Sequence, residues 1–197
     1  KPLRRVNALR SVCRLLRKKT NAMKTITLLA LSGSLRRCSY NTATLEALAE
    51  LAPEHIHINI GDIGSLPLFN PDREDESIPE VSQLKAAVGE SSGLIIASPE
   101  YAHGISGPMK NALDWLVSGD EFPYKPIMLI NTSPRATHAQ AALTEVLTTM
   151  SGNLVEDAYV ALPLLSSGYD KSGILNDLQC VDALATALNR FVTYINP

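Results

Sequence analysis

Cysteine and histidine are scarce in this sequence of 197 residues, and neither is arranged as a cross-link or a metal site. The three cysteines, Cys13, Cys38 and Cys180, lie far apart and form no CxxC pair. This pattern argues against a disulfide framework and favours a reducing cytoplasm. The histidines lack metal-ligand spacing, so His55 and His57 are interpreted as solvent-facing strand residues and no metal is expected.

Long apolar runs are also missing, and none approaches the roughly 20 residues that a helix needs to cross a bilayer. We therefore expect no membrane partner. With 45% hydrophobic and 19% charged residues, the composition is that of one globular domain rather than a disordered chain. Residues 23–197 hold ten basic and twenty acidic side chains, a net charge of −10, which argues against binding to nucleic acid.

The remaining basic charge lies in residues 1–22, which hold eight Lys or Arg and no acid. Their apolar residues recur on one helical face, as in a transit peptide or an interfacial helix. Met23 stands directly before the first strand pattern, so we favour a start assigned too far upstream, an appended tag or a disordered extension. The predicted organisation is a basic extension over 1–22 and one domain over 23–197.

From Met23 onward, strand patterns alternate with amphipathic helix patterns, which is typical of βαβ units on a mostly parallel sheet. The five predicted strands lie at 25–31, 55–60, 94–97, 126–132 and somewhere within 154–165. The strict alternation of 55–60 indicates an edge strand with one covered face. The sequence therefore predicts a three-layer α/β/α sandwich with a five-stranded parallel sheet in the order 2-1-3-4-5.

The loop after the first strand, SGSLRRCSYN at 32–41, combines serine hydroxyls, the Asn41 amide and two arginines with a following helix start. Hydroxyls, arginine and free helical N–H groups all favour anions. The loop lacks GxGxxG and GxxxxGK[ST], so a monophosphate fits it better than a dinucleotide or a nucleoside triphosphate. The alternative is that the polar residues only cap the helix while Arg36 and Arg37 are solvated.

The loop after the third strand, SPEYAHGISGP at 98–108, adds an aromatic ring, a carboxylate and two glycines. Gly104 and Gly107 allow a flat ligand to approach the backbone closely, and Tyr101 can contact a ring system. Each group has a simpler alternative, because Tyr101 could be a packing aromatic and Glu100 could balance a cation of a partner chain.

Together, GSLRRCSYN and SPEYAHGISGPMKNALDW resemble the NADPH-dependent FMN reductase family, which pairs GS-x-R-x-x-S-x-N with PEY-x-x-x-x-x-G-x-x-KNA-x-DW. The resemblance spans about residues 25–188. It implies a flavodoxin-like fold, bound FMN and a homodimer or homotetramer with the flavin near the subunit interface. It also implies that hydride from NADPH or NADH reduces a small acceptor, such as a quinone, an azo compound, a metal oxyanion or free flavin.

The same resemblance implies the cofactor-binding positions in this sequence. Those that hold the FMN phosphate are Ser34, Leu35, Arg36, Ser39 and Asn41. Those beside the flavin ring are Pro99, Glu100, Tyr101 and Gly104, with Ser133 added from the loop after the fourth strand. No catalytic protein residue is expected, because the flavin carries the chemistry.

Two other functions stay open at this point: a flavodoxin-type electron carrier without a nicotinamide site, and a non-enzymatic, flavin-free binding module. The sequence also leaves open the electron acceptor and the choice between NADPH and NADH. Arg73 and Arg135 are candidates for contact with the 2′-phosphate of NADPH. Cys38 is interpreted as incidental to the phosphate loop, with a redox role as the alternative.

Overall fold

The computed structural model describes residues 25–133 and 135–196, so the predicted extension at 1–22 lies outside the described residues. The strands are β1 (Ile26–Ser32), β2 (Ile56–Gly61), β3 (Gly93–Ala97), β4 (Glu100–Tyr101), β5 (Gly104–Ile105), β6 (Pro126–Asn131), β7 (Asn153–Leu154) and β8 (Val160–Ala161). The helices are α1 (Tyr40–Leu51), α2 (Pro79–Glu90), α3 (Gly107–Leu116), α4 (Thr137–Thr149), α5 (Lys171–Asn176) and α6 (Leu178–Ile195). None of these helices is long and apolar enough to cross a membrane.

The main sheet is parallel throughout, in the order β2-β1-β3-β6-β7, with β8 also paired to β6. The predicted flavodoxin-like order 2-1-3-4-5 is confirmed, because β6 is the fourth predicted strand and β7 and β8 are two pieces of the fifth. A 3₁₀ turn at Glu156–Ala158 separates these two pieces. The turn exposes both Glu156 and Asp157 while Val155 and Ala158 stay buried. A continuous strand would direct two adjacent side chains to opposite faces of the sheet, so it could not expose both charged residues on one side.

Two apolar clusters cover the two faces of the sheet, so the three-layer sandwich is also confirmed. Leu28 and Ala30 of β1 pack with α1, α5 and α6, whereas Leu29 and Leu31 pack with α2, α3 and α4. The alternation follows from the two-residue period of a strand, and it explains why central strands are continuously apolar. Trp115 is only 2% exposed and belongs to the second cluster.

At the sheet edge, β2 pairs with β1 alone among the described strands, as its alternating sequence predicted. Ile56 is buried and Ile58 is half-buried against the first cluster, whereas His57 and Asn59 are exposed. Ile60 lies at the end of this strand and is 42% exposed. One face of the strand is therefore covered by the core, and it becomes more exposed towards the carboxyl end.

A short hairpin, which the sequence did not predict, occupies the loop after β3. Strands β4 and β5 pair in antiparallel fashion, with Tyr101 opposite Gly104. The two connecting residues, Ala102 and His103, have φ angles of 48° and 61°. Two positive φ values are typical of a type I′ turn, whose usual sequence is Asn-Gly, so Ala-His gave no signal for it.

Candidate functional site

A cleft of about 300 Å³ lies where the carboxyl ends of β1, β3 and β6 meet. The parallel register sets Ser32 beside Ala97 and Ala97 beside Ile130, so the three following loops start at the same level. The cleft is lined by residues of these loops and by Leu165, which follows β8. This is the sheet edge at which open α/β folds bind ligands.

Eight of the ten cofactor-binding positions expected from the sequence line this cleft. They are Ser34, Arg36, Ser39, Asn41, Pro99, Glu100, Tyr101 and Ser133. The other two, Leu35 and Gly104, lie outside it. The side chain of Leu35 is directed towards Gly64, because a Cβ atom added to Gly64 would lie 2.9 Å from Leu35 Cδ2. Gly104 is engaged in the hairpin, where it pairs with Tyr101.

The serine hydroxyls of the first loop already accept hydrogen bonds from the backbone. Ser39 Oγ accepts from the N–H of Thr42 at 3.3 Å and so caps α1, while Ser34 Oγ accepts from the N–H of Arg36 at 3.4 Å. Because the backbone takes up an acceptor site on each oxygen, the hydroxyl proton remains available to a ligand. The capping alternative and the anion-binding prediction are therefore compatible at Ser39.

Asn41 is oriented by a residue that the sequence analysis missed. Thr132 Oγ1 donates to Asn41 Oδ1 at 3.0 Å, and both residues are only 5% exposed. The bond occupies the amide oxygen and leaves the Asn41 NH₂ group as a donor for the cleft. The one signal for Thr132 in the sequence is its position, because it is a polar residue directly after the buried strand β6.

The first two loops touch at Gly33, whose N–H donates to the Ala97 carbonyl at 2.8 Å. A Cβ on Gly33 would lie 2.4 Å from Ser98 Oγ and 2.8 Å from Ser106 Oγ. Ser106 is fully buried and caps α3 by accepting from the N–H of Met109 at 3.4 Å. The absence of a side chain at Gly33 thus lets the first loop approach the start of α3.

Glu100 and Tyr101 have different roles in the hairpin. Glu100 Oε2 accepts from the N–H of Ala139 at 2.8 Å, so this carboxylate caps the first turn of α4. Tyr101 is 50% exposed and lines the cleft, which makes it accessible to a ligand rather than a packing residue of the core. At the hairpin tip, the His103 ring lies 4.3 Å from the His138 ring of α4.

The groups that line the cleft at its α1 end are hydroxyl and amide donors with the Arg36 guanidinium, which suit a phosphate dianion. Glu100 is the one carboxylate among the described lining residues, and it is engaged by α4. Elsewhere in residues 25–133 and 135–196, no group of three or more His, Cys, Asp or Glu side chains could hold a metal ion.

Known proteins of similar sequence are flavin and quinone reductases. The NADPH-dependent FMN reductase family matches residues 26–165. An NADH-dependent flavin reductase subunit of Lactobacillus johnsonii is 30% identical over 85% of this chain and 96% of its own length. A quinone reductase of Pseudomonas putida is 32% identical over 83% of this chain and 91% of its own length.

Among solved structures, the flavoenzyme NAD(P)H:(acceptor) oxidoreductase FerB of Paracoccus denitrificans superposes with a TM-score of 0.70 at 26% identity. The superposition covers 86% of this chain and 97% of FerB. The chain belongs to the NADPH-dependent FMN reductase family, and it is accordingly an NAD(P)H-dependent oxidoreductase with FMN as its cofactor.

Proposed function

We propose that the cleft binds FMN with its phosphate at Ser34, Arg36, Ser39 and Asn41, and that the enzyme reduces a quinone. The observation that carries the proposal is the set of donors at the α1 end, where both serine oxygens and the Asn41 oxygen already have partners. Such a set favours an anion that accepts several hydrogen bonds. The relative named as a quinone reductase supports the class of acceptor.

When bound, FMN supplies the hydride chemistry between the nicotinamide and the acceptor. The protein then has to position the ring, so we assign this task to Pro99, Tyr101 and Ser133. The amino terminus of α3 follows the loop that carries Pro99 and Tyr101, and the positive end of the helix dipole favours negative charge nearby. These residues bind and orient, and none has to act as an acid or a base.

We further propose that the enzyme is a homodimer or homotetramer. The segment 67–69 is fixed on α3 because the Pro67 carbonyl accepts from Trp115 Nε1 at 2.8 Å and from Asn111 Nδ2 at 3.0 Å. This arrangement leaves Leu68 82% exposed, and Val117 at the end of α3 is 57% exposed. Exposed apolar side chains on a rigid segment support burial against a second subunit, which light scattering would detect.

A cytoplasmic location is part of the same proposal. Cys38 and Cys180 are both free thiols, and Cys38 is exposed at the cleft. Free thiols are typical of proteins that work in a reducing compartment. Fractionation of cells that produce the protein would test this, and recovery from an oxidising compartment would contradict it.

The function is tested with purified protein, added FMN and anaerobic spectroscopy. We expect a yellow protein that NADPH or NADH bleaches and that a quinone reoxidises. A colourless protein with no affinity for added FMN would contradict the proposal. A yellow protein that neither nicotinamide bleaches would instead indicate an electron carrier.

Two variants of the hairpin test which side chain contacts the flavin. Tyr101→Ala should weaken FMN binding or quinone turnover by roughly tenfold, because an aromatic contact and its buried area are lost. His103→Ala should change either quantity by less than about twofold, since its ring contacts His138. Similar effects of the two variants on flavin titrations and steady-state rates would refute this assignment.

A further inference from the structure

A second cleft, of about 700 Å³, adjoins the flavin cleft on the α1 side. The two share Arg36, Cys38, Ser39, Tyr40 and Leu165 as lining residues. The phosphate loop and the start of α1 form one wall of the second cleft, and residues 165–172 form the other. A ligand in the second cleft could therefore extend beside a flavin in the first, whose phosphate is proposed to lie at Arg36 and Ser39 of the shared wall.

Of the three cations that line this second cleft, Arg37 is the one assigned neither to the flavin phosphate, as Arg36 is, nor to an ion pair among the described residues, as Lys171 is. It is exposed and lines the second cleft but not the first. Lys171, in the same cleft, pairs with Glu50 at 2.9 Å. No carboxylate of the described residues lies within ion-pair distance of Arg37.

Two carboxylates also line the second cleft. Asp170 accepts from the N–H of Gly173 at 2.8 Å, as the cap of α5. Glu46 lies near Lys171, whose pKa is raised by its bond to Glu50 and, less, by the charge of Glu46.

Tyr169 provides an aromatic surface in the same cleft. Its ring packs on Gly173, where an added Cβ would lie 3.0 Å from Tyr169 Cγ, and its hydroxyl donates to Asp177 Oδ2 at 3.3 Å. The charge of Asp177 and this hydrogen bond raise the pKa of the Tyr169 hydroxyl above its ordinary value of 10.0 and so favour the neutral phenol. Leu165, 48% exposed, adds apolar surface beside it. A fixed neutral ring of this kind suits a purine.

We propose that the second cleft binds the adenosine end of NADPH, with Arg37 at the 2′-phosphate and Tyr169 at the adenine. This inference rests on the proposed function, because the nicotinamide end must reach the flavin cleft. The 2′-phosphate is the only group that distinguishes NADPH from NADH, and the arginine fork suits phosphate. Arg37 therefore sets the preference for NADPH.

The two arginines suggested by the sequence are less suited to this task. Arg73 pairs with Glu76 at 2.9 Å and lines neither cleft. Arg135 lines the flavin cleft, where the nicotinamide rather than the adenosine has to lie. The sequence left open whether Arg37 binds an anion or is solvated, because the opposing wall comes from residues more than 120 positions away.

The test compares Arg37→Gln, Tyr169→Ala and the control Arg73→Gln in their FMN-loaded forms. Arg37→Gln should raise the KM for NADPH roughly 10- to 100-fold and change the KM for NADH less than about twofold. Tyr169→Ala should raise both KM values by a similar factor, because the adenine is common to both. Arg73→Gln should change neither. Thermal unfolding of each variant checks that the fold is retained.

A binding measurement accompanies the kinetics. Calorimetric titration with adenosine 2′,5′-bisphosphate and with 5′-AMP should show tighter binding of the bisphosphate to the unaltered protein, and equal binding to Arg37→Gln. The titration is also made on flavin-free protein, so a failure to load FMN does not prevent it. Equal effects of Arg37→Gln on NADPH and NADH, or no effect, would overturn the inference. If both nicotinamides still reduce the flavin, the proposed function stands.

Discussion

Gly33→Ala should destabilise the protein and weaken flavin binding together, because the two loops of the cleft meet at this residue. The new Cβ would lie 2.4 Å from Ser98 Oγ, 2.9 Å from Ser98 Cβ and 2.8 Å from Ser106 Oγ. Real carbon atoms do not approach so closely, so the first loop and the start of α3 must move apart. Ser98 and Ser106 are both buried and have little room to yield.

The expected cost has two contributions. Overpacking of a filled interior costs about 1–3 kcal/mol. Displacement of Ser106 weakens the cap that accepts from the N–H of Met109, which adds about 1 kcal/mol. We therefore expect the free energy of unfolding to fall by about 2–4 kcal/mol.

Gly107→Ala is the matched control, since it makes the same change one residue after Ser106. A Cβ at Gly107 meets no atom within 4 Å, and the residue opens α3. Its free energy of unfolding should stay the same or rise by up to about 1 kcal/mol. Urea unfolding and FMN titration measure both variants. If Gly33→Ala matched Gly107→Ala in both assays, the argument that these loops are in close contact would be wrong.

Two further predictions concern buried polar groups. Thr132→Val removes the donor to Asn41 Oδ1, so the affinity for FMN should fall by roughly tenfold while the affinity for riboflavin, which lacks the phosphate, changes less. Both affinities are measured by titration. Equal losses for the two flavins would contradict a role at the phosphate. Burial and the charge of Asp177 raise the pKa of the Cys180 thiol above its ordinary value of 9.0, so the folded state keeps a proton that the unfolded state loses. The contribution of Cys180 to the free energy of unfolding should therefore be complete below pH 9 and decrease as the pH rises through that value. Between pH 8 and pH 10, the midpoint of urea unfolding should drop more for the unaltered protein than for Cys180→Ala.

The sheet order and the position of the cleft could be predicted because they depend on local patterns. Central strands such as β3 are buried on both faces and appear as apolar runs, while the polar loops that follow them meet at one sheet edge. The Thr132–Asn41 bond could not be predicted, since it joins residues 91 positions apart. The hairpin at Ala102 and His103 was missed because packing on α4, rather than turn propensity, holds these positive φ angles.

The interruption of the fifth strand also bears on how the sheet meets other protein molecules. A long regular outer strand offers a row of free N–H and C=O groups to which a foreign strand can add, and such addition starts aggregation. Here β7 and β8 are two residues each, with a turn carrying Glu156 and Asp157 between them. An incoming chain finds no continuous ladder to extend at this side. Unwanted strand addition would have to use β2, at the opposite side of the sheet.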